Sequence, residues 1–210
     1  MKKASSLLLT LMFTLLSTLS LQADSFKLIT GLNLLKYSNQ AEENFQWRYK
    51  PGFCVGAGFE FDLTEEETIA IEVDAFLLQK QSSKVSEENS DLRFIYHLNS
   101  LCFPALVRLK AKEQWPFYFL GGGQLFYVLS HKVDIKSGSQ TNQTDLKEST
   151  KNFGWVVVMG GGFEKKISKY QKLFIEIRYN IGFMNLLKFP EPSEKVTNSS
   201  LLLMLGIKNY

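Results

Sequence analysis

Residues 173–187 read Leu-Phe-Ile-Glu-Ile-Arg-Tyr-Asn-Ile-Gly-Phe-Met-Asn-Leu-Leu, and the order of polarity in them restricts the fold more than any other stretch. Every second residue from Leu173 through Ile175, Ile177, Tyr179 and Ile181 to Phe183 is apolar. The residues between them, Phe174, Glu176, Arg178, Asn180 and Gly182, are largely polar. Successive side chains leave a strand on opposite faces, so a period of two specifies a strand and not a helix. Two architectures use such a strand. A soluble sheet buries the apolar face, whereas a barrel in a bilayer turns it outward to lipid and encloses the polar one.

The same alternation recurs along the chain. It predicts strands over 27–36, 53–63, 68–79, 96–110, 115–132, 152–165, 173–187 and 199–210. The count is even, and each strand is long enough to cross a bilayer when tilted. Pro104 cannot donate a ladder bond, so irregular pairing or a bulge is expected there. The connections at 62–67, 111–114 and 166–171 are short. Those at 37–52, 80–95, 133–151 and 188–198 are longer and rich in Ser, Asn, Gln, Lys and Glu. Strict short–long alternation is the pattern of an outer-membrane barrel with tight periplasmic turns and long external loops. A soluble up-and-down barrel has no reason to keep every other connection long. Aromatic residues gather towards strand ends, with Phe26, Phe61, Trp115, Phe117, Phe163 and Tyr210 at the turn side. Phe53, Tyr127, Phe153, Trp155 and Phe183 lie at the loop side, as two interfacial belts would.

The first residues give the route to such a membrane. Lys2 and Lys3, an apolar run over 7–21 and Leu21-Gln22-Ala23 read as a secretory signal over 1–23, leaving 24–210 as the barrel domain. The run is short for a spanning helix, and a secreted chain without one can still enter a bilayer as a closed barrel. The chain has 24 Lys and Arg against 21 Asp and Glu, and Lys2 and Lys3 are the only charges before Asp24, so the remainder is close to neutral. That balance argues against a nucleic-acid partner. Cys54 and Cys102 fall on strands that are not neighbours and are expected as two buried thiols.

Alternation also places charges inside. If odd-numbered strands rise from the periplasm, Glu60, Arg108, Glu164 and Lys208 lie near the lower ends of descending strands. Glu72, Asp74, Glu176 and Arg178 lie in the lower-to-middle part of rising ones. Such ions are tolerable inside only if paired, so a charged network over Glu72, Asp74, Arg108, Glu176, Arg178 and Lys208 is expected. The eight inward charges together, five acidic and three basic, leave room for a protonated carboxyl or bound water. No catalytic, cofactor-binding or metal-ligating residues are expected. Gly121-Gly122-Gly123 and Gly160-Gly161-Gly162 sit inside strands without the Lys-Ser/Thr of a phosphate loop. His97 and His131 have no partners at ligand spacing. Asn142-Gln143-Thr144 and Asn198-Ser199-Ser200 match a glycosylation acceptor pattern but read as incidental loop residues.

Three stretches carry a family resemblance. Tyr96-His97-Leu98-Asn99-Ser100-Leu101-Cys102-Phe103-Pro104-Ala105-Leu106-Val107-Arg108 is similar to a Tyr-Leu-x-x-Pro-x-Leu-x-Lys strand. Phe117-Tyr118-Phe119-Leu120-Gly121-Gly122-Gly123 resembles the glycine-bearing strand that follows, and Phe174-Ile175-Glu176-Ile177-Arg178-Tyr179-Asn180-Ile181-Gly182 an Arg-Tyr-x-x-Gly strand. Together they resemble the PorT-like group of outer-membrane β-barrel proteins, with Tyr210 where a terminal Phe is usual. The resemblance implies the fold and the outer membrane but no activity.

The sequence thus predicts an all-β, eight-stranded antiparallel up-and-down transmembrane β-barrel after a cleaved signal peptide. Eight strands leave little lumen, so the interior is expected to be filled and the role structural or interactive. Expected partners are outer-membrane lipids and extracellular or periplasmic proteins. Two alternatives stand beside this one. A secreted calycin-like barrel with a small apolar ligand would put Glu72, Asp74, Glu176 and Arg178 outside. A lipid-modifying outer-membrane enzyme would require His131 or His97.

Overall fold

The computed structural model describes residues 23–39, 45–86, 92–112, 114–138, 140–183, 186 and 196–210. Residues 1–22, which hold nearly all of the expected leader, lie outside them, as do the segments 40–44, 87–91 and 187–195 of the long connections.

Nine strands run in chain order: β1 (Ser25–Asn39), β2 (Phe45–Asp62), β3 (Ile69–Ser86), β4 (Leu92–Leu109), β5 (Phe117–Ser137), β6 (Gln140–Asp145), β7 (Phe153–Lys166), β8 (Gln171–Gly182) and β9 (Val196–Asn209). Eight of them close a ring. Each pairs antiparallel with its neighbours in the order β1-β2-β3-β4-β5-β7-β8-β9, and β9 returns to β1 through pairs from Phe26–Asn209 to Asn39–Val196. Closure leaves no spanning edge with open N–H and C=O groups, the condition for a sheet in lipid.

The ninth strand corrects the loop expected over 133–151. β5 continues past the wall, and β6 folds back on it from Ser137–Gln140 to Lys132–Asp145. Gly138 takes φ 58 in the turn, a left-handed value that suits a two-residue hairpin. Every β6 side chain is exposed, so there was no apolar face to give it away. The loop-side ends of β1, β2, β3, β4 and β9 also run further than expected, because they pair without an apolar alternation, whereas β8 ends at Gly182, short of the expected 187.

The ladder lapses where β3 meets Phe103 and Pro104, between the pairs Val73–Ala105 and Phe76–Cys102, without a change of register. The register shift in this region lies instead at Asn99–Ser100 against Val128–Ser130. That bulge reverses the faces of β5 beyond Val128, so His131 and Val133 point inward, where alternation alone places Ser130.

Elsewhere the faces follow the sequence. Leu28, Leu32, Val55, Leu77, Val107, Leu125, Ile175, Ile177, Leu203 and Leu205 lie exposed on the outer wall. Towards the turn side Phe117 packs against Phe163 at 5.4 Å between ring centroids, and towards the loop side Tyr127 meets Phe153 at 4.8 Å and Trp155 meets Phe183 at 6.2 Å. The lumen divides by height. Its loop-side half is mainly apolar, with Cys54, Phe76, Leu78, Leu98, Cys102, Phe126, Val128 and Val156 buried there, and one buried cation, Lys80, lies 5.6 Å over the Phe126 ring. Both cysteines are free and buried. Its turn-side half is ionic.

Candidate functional site

The ionic half is built in two tiers. In the inner tier the guanidinium of Arg178, from β8, reaches three carboxylates: Glu176 at 2.7 Å through Nε, Asp74 at 2.8 Å through Nη1 and Glu72 at 3.4 Å through Nη2. Lys27, from β1, comes from the wall midway between β3 and β8. Its Nζ lies 2.6 Å from Glu72 and 3.2 Å from Asp74. Glu72 and Asp74 are two residues apart on β3, so both project from the same face. They form a bay that a planar guanidinium and a point-charge ammonium enter from different sides.

In the outer tier Arg108, from β4, lies between Glu60 at 2.5 Å and Glu164 at 3.1 Å. Lys208, from β9, touches the same two carboxylates at 2.8 and 3.2 Å. Lys110 closes on Glu164. The tiers meet where Arg108 Nε lies 3.8 Å from Glu72. Pairings across the lumen matter because ladder neighbours carry like charge. Glu60 faces Glu72 in the β2–β3 register, and Lys27 faces Lys208 in β1–β9. Such neighbours repel unless countercharges intervene, and Arg108 stands between the two carboxylates.

All eight charges assigned inward by alternation are buried. Glu72, Asp74, Glu176 and Arg178 meet in the inner tier, and Glu60, Arg108, Glu164 and Lys208 in the outer. Lys27 and Lys110, which join these tiers, were missed, as was Lys80, buried in the loop-side half. In the tiers, Lys27, Arg108, Lys110, Arg178 and Lys208 stand against Glu60, Glu72, Asp74, Glu164 and Glu176, five on five and all buried. The surplus of carboxylates expected from sequence is removed. The signal for Lys27 was available, since it shares parity with Gly31 and Asn33. A buried pair is a weak source of net stability, but losing one partner is costly.

Glycines make room for this arrangement. A Cβ at Gly58 would occupy the position of the Asp74 carboxylate, and one at Gly162 would strike the Tyr118 ring. Arg108 lies 5.5 Å over that ring, a cation–π contact as well as an ion pair. Within the triplets a Cβ would collide at Gly122, Gly160 and Gly162, whereas Gly121 and Gly123 face open space.

The turn-side mouth is crossed by one further pair. Glu67, in the connection between β2 and β3, accepts from Lys172 of β8 at 2.7 Å. The two elements lie on opposite sides of the ring. Glu67 holds φ 50, a strained value for a side-chain-bearing residue, fixed by its N–H donating to Thr64 O at 3.0 Å. Burial pushes its carboxyl up, but the Lys172 hydrogen bond and charge more than offset this and hold it below the ordinary carboxylate range.

The histidines do not assemble a hydrolytic site. His131 Nδ1 lies 2.7 Å from Thr150 Oγ1, whose hydroxyl donates to Leu146 O at 2.7 Å. Ser130 instead accepts from Asn99 Nδ2 at 2.9 Å. His97 pairs with Asp134 at 3.0 Å near the hairpin. No nucleophile–base–carboxylate relay joins these groups. The calycin alternative fails on the face test, because its four diagnostic charges are buried in the lumen and the apolar side chains are outside.

A closed ring of eight antiparallel strands, apolar outside and ionic within, defines a transmembrane β-barrel of the outer-membrane class. The family model described as outer membrane protein beta-barrel domain matches residues 23–188, and the chain belongs to that family. It is located in the bacterial outer membrane. Three solved structures are similar. Neisserial surface protein A is 13% identical, covering 88% of this chain and 96% of its own, with a TM-score of 0.43. Ail, the attachment invasion locus protein of Yersinia pestis, is 14% identical over 88% of this chain and 97% of its own, with a TM-score of 0.48. The outer membrane protein OprG from Pseudomonas aeruginosa is 11% identical over 90% of this chain and 96% of its own, with a TM-score of 0.46. No curated protein matches the chain.

Proposed function

We propose that this protein is a closed, non-conducting scaffold of the outer membrane, without catalytic activity, that presents its loop side to the cell's surroundings. The occupied lumen carries this reading. Ten paired charges fill the turn-side half, and buried apolar side chains interleaved with Lys80, Asn33, Ser100 and Gln124 fill the half above. A solute path would have to break that ion network, whereas a porin keeps a wide polar lumen. The hairpin of β5 and β6, with every β6 side chain exposed, supports the loop side as the interacting surface. Its partners are extracellular or periplasmic proteins in addition to the surrounding lipids. Within the family, the stretches Tyr96–Arg108, Phe117–Gly123 and Phe174–Gly182 favour the PorT-like group.

Planar-bilayer recording tests the reading. The folded chain, with insertion verified by protease protection, is expected to give no stepwise conductance. Reproducible steps from the inserted protein would overturn the scaffold in favour of a pore.

A further inference from the structure

The turn-side rim is electrically lopsided. Between β7 and β8 the sequence places Lys165, Lys166, Lys169 and Lys172 within eight residues and no acid among them. On the far side of the ring the β2–β3 connection carries Glu65, Glu66 and Glu67. The four lysines line a cleft of about 590 Å³ with Trp115 and Tyr210. The two carboxylates in its lining are already engaged, since Lys172 lies 2.7 Å from Glu67 and 3.5 Å from Glu164. Lys165, Lys166 and Lys169 are exposed and make no ion pair among the described residues. Trp115 and Tyr210 are half-exposed, beside the outward Phe117 and Phe163. Such rings mark the level where acyl chains give way to headgroups, so the three ammonium groups stand at phosphate depth.

We propose that this cleft binds the phosphate-bearing headgroup of an anionic phospholipid from the leaflet that meets the short turns. Three ammonium groups with no ion pair among the described residues supply the countercharge, Lys169 also lying 5.1 Å over the Tyr170 ring, and the attraction of basic clusters for anionic lipid is strongest at this depth. Trp115 and Tyr210 cover the glycerol side of the headgroup, where one end of the ligand is apolar and the other wet. Glu65 and Glu66, in the connection opposite, repel the same lipid, so binding is confined to the lysine side of the barrel.

Trp115 is itself the reporter. Trp47→Phe with Trp155→Phe leaves it as the sole tryptophan. The chain is refolded into phosphatidylcholine vesicles in which a minor fraction is brominated phosphatidylglycerol or, in parallel, brominated phosphatidylcholine. Brominated phosphatidylglycerol is expected to quench about two- to threefold more strongly. The excess is expected to vanish in Lys165→Gln/Lys166→Gln/Lys169→Gln and to survive in Lys132→Gln/Lys136→Gln, on the hairpin. Lys169→Gln alone is expected to give an intermediate value, which keeps the test open if the triple variant does not fold. Equal quenching by the two lipids, or an excess unchanged in Lys169→Gln and the triple variant, would overturn the proposal. So would loss of the excess on adding inorganic phosphate, because the cleft would then be a site for the free anion.

Discussion

Arg178 is where the energetics of the lumen concentrate. Its guanidinium serves three carboxylates, and Glu176 has no other ion-pair partner among the described residues. Arg178→Met is expected to cost roughly 3–5 kcal/mol, because it strands buried negative charge. Arg178→Met with Glu176→Leu is expected to cost less than the sum of the single changes. Urea unfolding in lipid vesicles measures both, and additive losses would show that the two are not coupled. Gly206→Ala tests packing at the same scale. Its Cβ would strike the Phe174 ring and the Leu28 carbonyl, a backbone clash expected to cost about 1–3 kcal/mol. At the mouth the sign is fixed by Glu67, whose carboxyl is held low by Lys172. Stability from this pair is complete above the ordinary carboxyl range and fades as pH falls through the lowered value. The parent is therefore expected to resist urea better than Glu67→Gln at about pH 7, and the two are expected to converge in acid. A gap that persists unchanged at low pH would remove the pair from the account.

At the scale of the strand, alternation is the code, and it fails where a strand has nothing to bury or slips a residue. Leu173 to Phe183 could be read because each face has one polarity along its length. The charged lumen could be read for the same reason, since Glu72, Asp74, Arg108, Glu176 and Arg178 all interrupt apolar alternation on one parity. Which carboxylate meets which cation could not, because pairing across the ring depends on stagger that no single strand records. Lys110 sits at a strand end, where too few neighbours fix the parity, and Lys27, also at an end, is placed only by the parity it shares with Gly31 and Asn33. β6 has no buried face, and the bulge at Asn99–Ser100 carries no Gly or Pro to announce it. The outer wall gives the corresponding prediction. Val157→Arg sets a guanidinium against lipid and is expected to cost roughly 2–4 kcal/mol in vesicles. Val158→Arg, one residue on, points into the lumen and is expected to fail by overpacking. Full stability of the Val157 variant would mean that the faces have been assigned backwards.

For the molecule as a whole, loop side and turn side must end on opposite sides of the membrane. The native thiols are buried, so new cysteines report accessibility without background. On intact cells a membrane-impermeant maleimide is expected to label Thr141→Cys on the hairpin and to spare Glu66→Cys on a short turn, both sites being exposed. Labelling at Glu66→Cys alone would invert the topology. The closed barrel itself is tested most directly by gel mobility. The protein is taken from the outer-membrane fraction in detergent and run with and without boiling. A ring sealed by β1–β9 pairing and braced by buried ion pairs is expected to stay folded unboiled and migrate faster than the boiled chain. Identical mobility before and after boiling would contradict a stable closed barrel.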